Sequence, residues 1–129
     1  MSTRAAGEDD DGGRATAKSK PVRADAQRNT DALLEAARLG EVRYATALLA
    51  VAAGTPVSVV DRAASLRSAK GMISLVWQAG FTMRAAVSLQ TLLARLAPEV
   101  VLTAGPGGSF PLAVEEMRWQ LEFLGRMGR

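Results

Sequence analysis

The chain has 129 residues, of which 48% are hydrophobic, enough for one domain with an adequate but not generous core. It contains no cysteine and no histidine, which excludes disulfides, thiolate chemistry, imidazole bases and the usual zinc ligands. The net charge of +3 reflects a small excess of arginine rather than a dense patch, so it lends only modest support to an anionic partner.

The first boundary is compositional. As far as about Val22 the chain holds Gly, Ser, Thr, Ala and charges with almost nothing large and apolar, too little to offset the entropy of ordering. This predicts a disordered tail over residues 1–23 and a single domain over 24–129. The acidic run Glu8–Asp11 precedes Arg14, Lys18, Lys20, Arg23 and Arg28, which reads as a solvated arm in which the acidic block dilutes the basic residues. That run also stands where a signal peptide would need an apolar region, and no stretch reaches membrane-spanning length. A cytoplasmic protein without a membrane partner is expected.

From there the pattern is helical, punctuated by Gly and Pro. A first helix is predicted from Ala24 or Thr30 to Leu39, with Gly40 placed for a left-handed end. A second runs Glu41–Ala53 and stops at Gly54; its alanines, Ala45, Ala47, Ala50, Ala52 and Ala53, suit a buried element more than a display surface. Thr55 before Pro56 reads as a cap with proline at the first helical position, starting a third helix that reaches about Ser65. Ser68 caps a fourth, which ends at Gly80. Thr82 caps a fifth, Met83–Ala97, stopped by Pro98. A sixth runs Val114–Leu124 and ends at Gly125. Six helices and no credible strand predict an all-α fold.

The fourth predicted helix is apolar over a wide arc through Met72, Ile73, Leu75, Val76 and Trp77, so it should be packed on two sides. The fifth is the clearest amphipath: Ala85, Ala86, Leu89, Leu92, Leu93 and Leu96 fall on one face, and Arg84, Ser88, Thr91 and Arg95 on the other. The sixth carries a stripe of Val114, Met117, Leu121 and Leu124, while Trp119 and Phe123, one turn apart, point to the opposite side. Two opposed stripes need two partners. One reading packs Trp119 and Phe123 on the Val100–Leu102 segment; the other makes them anchors for another protein. A capping box before Glu116 is missing, because Ala113 stands where Ser or Thr is wanted.

Three blocks in the C-terminal half, AKGMISLVWQAGFTMRAAVSLQ, LARLAPEVVL and FPLAVEEMRWQLEFL, spaced by a Gly-rich gap, resemble the closing segment of a bacterial, mainly alphaproteobacterial, family known as domain of unknown function 2336. The resemblance implies stacked antiparallel helical hairpins in a short HEAT-like array, and it implies no reaction. Helix, Gly, helix, Pro occurs around Gly40 and again around Gly80, an offset of about 40 residues in the HEAT-like range. Because the resemblance covers only the end of a longer pattern, it implies a shortened member whose exposed apolar face would be covered by a protein partner or by homo-oligomerisation.

No constellation for catalysis emerges. Gly105-Pro106-Gly107-Gly108-Ser109 lacks the lysine and the preceding strand of a phosphate-binding loop. Glu115 and Glu116 are adjacent on a helix and diverge, and the remaining carboxylates are scattered. No cofactor, metal or small-molecule ligand is expected, and the chain reads as an interaction or adaptor module with Trp119 and Phe123 as anchors and Arg84 and Arg95 as a polar rim. The alternative is a DNA-binding regulator. Ala50, Gly54 and Val60 have helix-turn-helix spacing, and VRADAQRNTDALLEAA, Val22–Ala37, resembles the opening of TetR-type repressors. In that reading Ser58 and Arg62 would contact DNA, although Val57 and Val59 occupy positions where polar base-reading side chains belong.

Overall fold

The computed structural model describes residues 19–127, with side chains described from Gln27 onward. Of the expected tail, positions 1–18 lie outside the described residues, whereas 19–23 already belong to the first helix, α1, Ser19–Arg38. Helix α1 starts earlier than expected because Pro21 falls in the first turn, where a missing N–H costs nothing, and no glycine interrupts the helix from there to Arg38. After α1 come α2 (Val42–Ala53), α3 (Val57–Ser65), α4 (Ala69–Ala79), α5 (Met83–Leu92) and α6 (Val114–Met127), with single 3-10 turns at Pro98–Val100 and Pro106–Gly108. Among the described residues the fold is all-α, with six α-helices and no strand.

Helix α4 is the centre. Every residue from Gly71 to Val76 is buried, and the helix packs against α2, α3, α5 and α6. This agrees with its wide apolar arc, which needs cover on more than one side, while Lys70 and Gln78 near its ends stay exposed. Helices α1 and α2, and α3 and α4, pack as successive hairpins, whereas α6 packs on α4 and α3 rather than on α5. Helix α1 packs against α2 and also against α5, which draws the array in on itself. Leu33, Leu49, Met72, Ile73, Leu89 and Met117 fill the interior and are buried to within 2% of complete.

Local signals set most boundaries. Gly54 ends α2 and Gly80 ends α4 in the left-handed region, at φ 68° and 82°, where only glycine avoids a Cβ penalty. Around Gly80 the N–H donates to the carbonyl of Trp77 and the Phe81 N–H to that of Val76, satisfying carbonyls that the helix end would leave open. Ser68 caps α4 as expected, its Oγ accepting the Gly71 N–H at 2.8 Å.

Four expectations are corrected. Thr55 does not cap α3: Pro56, extended at φ −63° and ψ 151°, occupies the cap position, and the Thr55 hydroxyl donates to the Pro56 carbonyl at 3.3 Å. Helix α5 stops at Leu92 rather than Ala97, because Arg95 turns left-handed at φ 57° and the chain folds Leu93 and Ala94 into the core before Pro98. Thr82 stands at the start of α5 but its side chain caps nothing there. Its N–H and hydroxyl instead meet the buried Thr30 Oγ1 of α1, at 2.8 and 3.2 Å. Helix α6 continues through Gly125 to Met127, since Gly125 takes no left-handed turn.

One buried polar side chain organises the segment between α5 and α6. Gln90 is fully buried; its Oε1 accepts the Leu102 N–H at 2.8 Å, and its Nε2 donates to the Leu102 carbonyl at 2.9 Å and to the Ala86 carbonyl at 3.2 Å. The side chain thus takes the place of a neighbouring strand for an extended backbone that has none.

Candidate interaction surface

Among the described residues helix α6 packs on the core along one side, against α3 and α4. Met117 and Leu124 are buried and Leu121 packs on the core, so this stripe faces inward as the spacing predicts; Val114, at its start, remains exposed. The inward docking is close. A Cβ added to Gly71 of α4 would lie 3.3 Å from a Leu124 methyl and 2.9 Å from the Ser68 hydroxyl, so glycine lets the start of α4 approach α6. Lys70 Nζ stands 4.0 Å from Glu116, whose carboxylate also accepts from Gln120 at 2.9 Å.

At 100° per residue, Trp119 and Phe123 fall on the far side of α6 from Met117 and Leu124. Their rings stack, with centroids 5.3 Å apart and planes inclined by 6°. Trp119 is 51% exposed and Phe123 half-buried, so the pair forms a flat aromatic ledge whose indole is the open part. Neither residue packs on the core.

The arginines expected to rim this ledge are elsewhere. Arg84, in the first turn of α5, faces Asp31 of α1 at 3.7 Å. Arg95 is exposed and lies beyond the end of α5, so the two do not share a helical face. The charges that do share α6 with the ledge are Glu115, Glu116, Arg118, Glu122 and Arg126, of which Glu116 faces Lys70 of α4.

Helices α2 and α3 meet across a three-residue turn, Gly54–Pro56, and are bent by 119°, a geometry open to both helical hairpins and helix-turn-helix motifs. Ser58 is exposed. Arg62 is turned inward, its Nη1 donating to the Leu124 carbonyl at 3.2 Å, one of the carbonyls that the end of α6 leaves without an intrahelical partner. Asp61 on the same helix pairs with Arg43 at 3.2 Å, which sets a carboxylate beside any approaching phosphate. Arg62→Ala is therefore expected to lower the unfolding free energy by about 1 kcal/mol, read by chemical denaturation, through loosening of α6.

Several features carry no signal in the sequence. Gln90 and Thr30 are buried polar residues whose partners, Leu102 and Thr82, are brought to them only by the fold. A half-open cleft of about 310 Å³ lies between the α2–α3 turn and α6, with Pro56, Val59, Leu75 and Leu121 as apolar wall and Thr55, Ser58 and Gln78 as polar lining. Glu35 and Arg38 form an exposed pair at 2.6 Å in α1, and the guanidinium holds the Glu35 carboxyl below its ordinary range. Among the described residues no group of three or more acidic side chains converges on a possible metal site.

Comparison of the chain with protein-family models, curated proteins and solved structures finds no match. Among the described residues no single helix is long and apolar enough to cross a membrane.

Proposed function

We propose that the protein is a non-catalytic helical interaction module that captures a protein partner on the outer face of α6, with Trp119 and Phe123 as anchors. The observation that carries this reading is the stacked aromatic pair, with Trp119 open to solvent, on a helix whose opposite face already satisfies the core. Aromatic side chains of this kind dominate binding energy where they are desolvated by a partner, and their stacking fixes their rotamers before contact. Kinship with the helical-array family that the three C-terminal blocks resemble belongs to the same proposal.

The joint substitution Trp119→Ala and Phe123→Ala tests it. Unfolding free energy is expected to change by about 1 kcal/mol or less, since both side chains lie outside the core. Capture of the partner by the immobilised full chain is expected to fall by a hundredfold or more, as for two lost hot-spot residues of about 2 kcal/mol each. A domain that unfolds on this substitution would make the pair structural and end the proposal.

A second reading, DNA binding through α3, is favoured by the bend across Gly54–Pro56 and opposed by the engagement of Arg62 and the exposed Asp61–Arg43 pair. Fluorescence anisotropy on duplex DNA at two salt concentrations separates the readings. Strongly salt-dependent binding that Arg62→Ala abolishes without loss of helicity would favour α3 over α6.

A further inference from the structure

The cleft between the α2–α3 turn and α6 is built apart from the aromatic ledge. Its volume of about 310 Å³ falls at the lower end of the roughly 300–1,000 Å³ usual for small-molecule sites. Depth sorts its lining. Ala53, Val59 and Leu75 are buried and make the floor, whereas Ser58 and Gln78 are exposed at the mouth. Among the described residues neither of those two side chains has a hydrogen-bond partner. Thr55, between floor and mouth, donates its hydroxyl proton to the Pro56 carbonyl and keeps its oxygen as an acceptor. An apolar floor under a few polar groups is the usual anatomy of a ligand pocket.

Gly125, on the α6 wall of this cleft, keeps it open. It lies in the last turn of α6 but ends nothing there, since its φ is not left-handed and the helix runs on to Met127. Packing does not call for glycine either, because a Cβ built at Gly125 would meet no atom within 4 Å. Gly71 is the contrast, its missing Cβ making room for Ser68 and Leu124. Glycine is the poorest helix former after proline, and at Gly125 what it provides is empty space beside Leu121 and Val59.

We infer that the cleft binds a small uncharged molecule, with an apolar body of roughly eight to ten carbons and one amide or hydroxyl head group. Charge decides the class. Among the described residues no ionisable side chain lines the cleft, and helix ends of both signs meet at its mouth, the start of α3 and the ends of α2 and α4. An ionic head group would lose its water there without finding an opposite charge. Size follows from volume, since a dry cavity of about 150 Å³ admits benzene and this cleft has about twice that space. The head group must donate and accept, because Ser58 and Gln78 each offer both functions at the mouth. Once seated, the molecule joins the α2–α3 turn to α6, as Arg62 does through the Leu124 carbonyl. Its binding does not depend on what the ledge captures.

The test is a titration of the full chain with cinnamamide, followed by backbone amide chemical shifts, against cinnamate, which has the same body and a charged head. Saturable one-to-one shifts are expected at Gly54, Ser58, Gln78 and Leu121, with cinnamate weaker by about tenfold or more. Gly125→Leu should place its side chain in the cleft and weaken cinnamamide by about tenfold or more, while helical content is kept and Tm is unchanged or higher. Ser58→Phe, at an exposed position on the opposite wall, should close the mouth with the same loss. The joint Trp119→Ala and Phe123→Ala chain should bind cinnamamide with unaltered affinity, which separates the cleft from the ledge. Shifts that never saturate, cinnamate bound as tightly as the amide, or full affinity in Gly125→Leu and Ser58→Phe overturns the inference. So does loss of helical content in Gly125→Leu, which would mean that the space is not open, or loss of binding with the ledge substitutions, which would place the probe on Trp119.

Discussion

Gln90→Ala is expected to lower the unfolding free energy by about 3 kcal/mol, a fall in Tm of about 10–15 °C for a domain of this size. The magnitude reflects the groups that the lost side chain leaves behind. Its amide satisfies both the N–H and the carbonyl of Leu102, at 2.8 and 2.9 Å, and removing it strands a donor and an acceptor that have no neighbouring strand to turn to. Each stranded group costs about 1–3 kcal/mol. Gln90→Leu keeps the volume and discards the hydrogen bonds, so it separates the polar loss from the cavity; both variants should be strongly destabilised if the hydrogen bonds dominate. Gln90→Glu adds a pH signature. A buried carboxyl can donate to the Leu102 carbonyl only when protonated, so its folded pKa is raised above the unfolded value. The variant is then most stable, relative to the unaltered chain, below the unfolded pKa of about 4.3, and loses stability as pH rises through the folded pKa. Thermal melts at acid and neutral pH read this directly. Equal deficits at both would show that the clamp is not what holds the segment.

Ile73→Ala should cost about 3–4 kcal/mol in denaturant unfolding. Ile73 is fully buried at the middle of α4, the helix enclosed by α2, α3, α5 and α6. Four packed neighbours cannot all shift to close the space left by three lost carbon atoms, so the transfer loss and the cavity add. Val51, also a branched apolar residue inside a helix, provides the contrast. It is 81% exposed, and Val51→Ala should change monomer stability by less than about 0.5 kcal/mol. A similar loss at both positions would mean that α2 is covered within the monomer.

Much of the architecture was legible because its causes are local. Gly54 and Gly80 stand where the chain must turn left-handed, Ser68 is three residues before the N–H it caps, and the wide apolar arc of α4 needs cover on more than one side. The inward stripe of α6 and the placement of Trp119 and Phe123 on its opposite side came from helical spacing alone, whereas that neither ring packs on the core was left open by the spacing and decided by the fold. The misses share a different cause. Leu93 keeps the core position that the α5 spacing gives it, but Leu96 continues the same pattern and only the folded chain shows that it packs on the core beyond a left-handed Arg95 rather than on a helix. Thr82 has the composition of a cap, yet Thr30 of α1 takes its hydroxyl. Arg84 and Arg95 align on an ideal helix and part company when α5 ends at Leu92.

The amino-acid sequence by itself therefore determined the helical class, most of the helix ends and the two-sided character of α4 and α6, because capping, glycine conformation and apolar periodicity act over a few residues. Tertiary structure alone decided which apolar faces find cover. The Ala-rich α2 reads as an interior helix, but among the described residues Tyr44 and Val51 stay exposed; nothing in the spacing marks Gln90 for burial, but the returning chain at Leu102 buries it. Periodicity shows that a face is apolar, and burial depends on what arrives from distant parts of the chain.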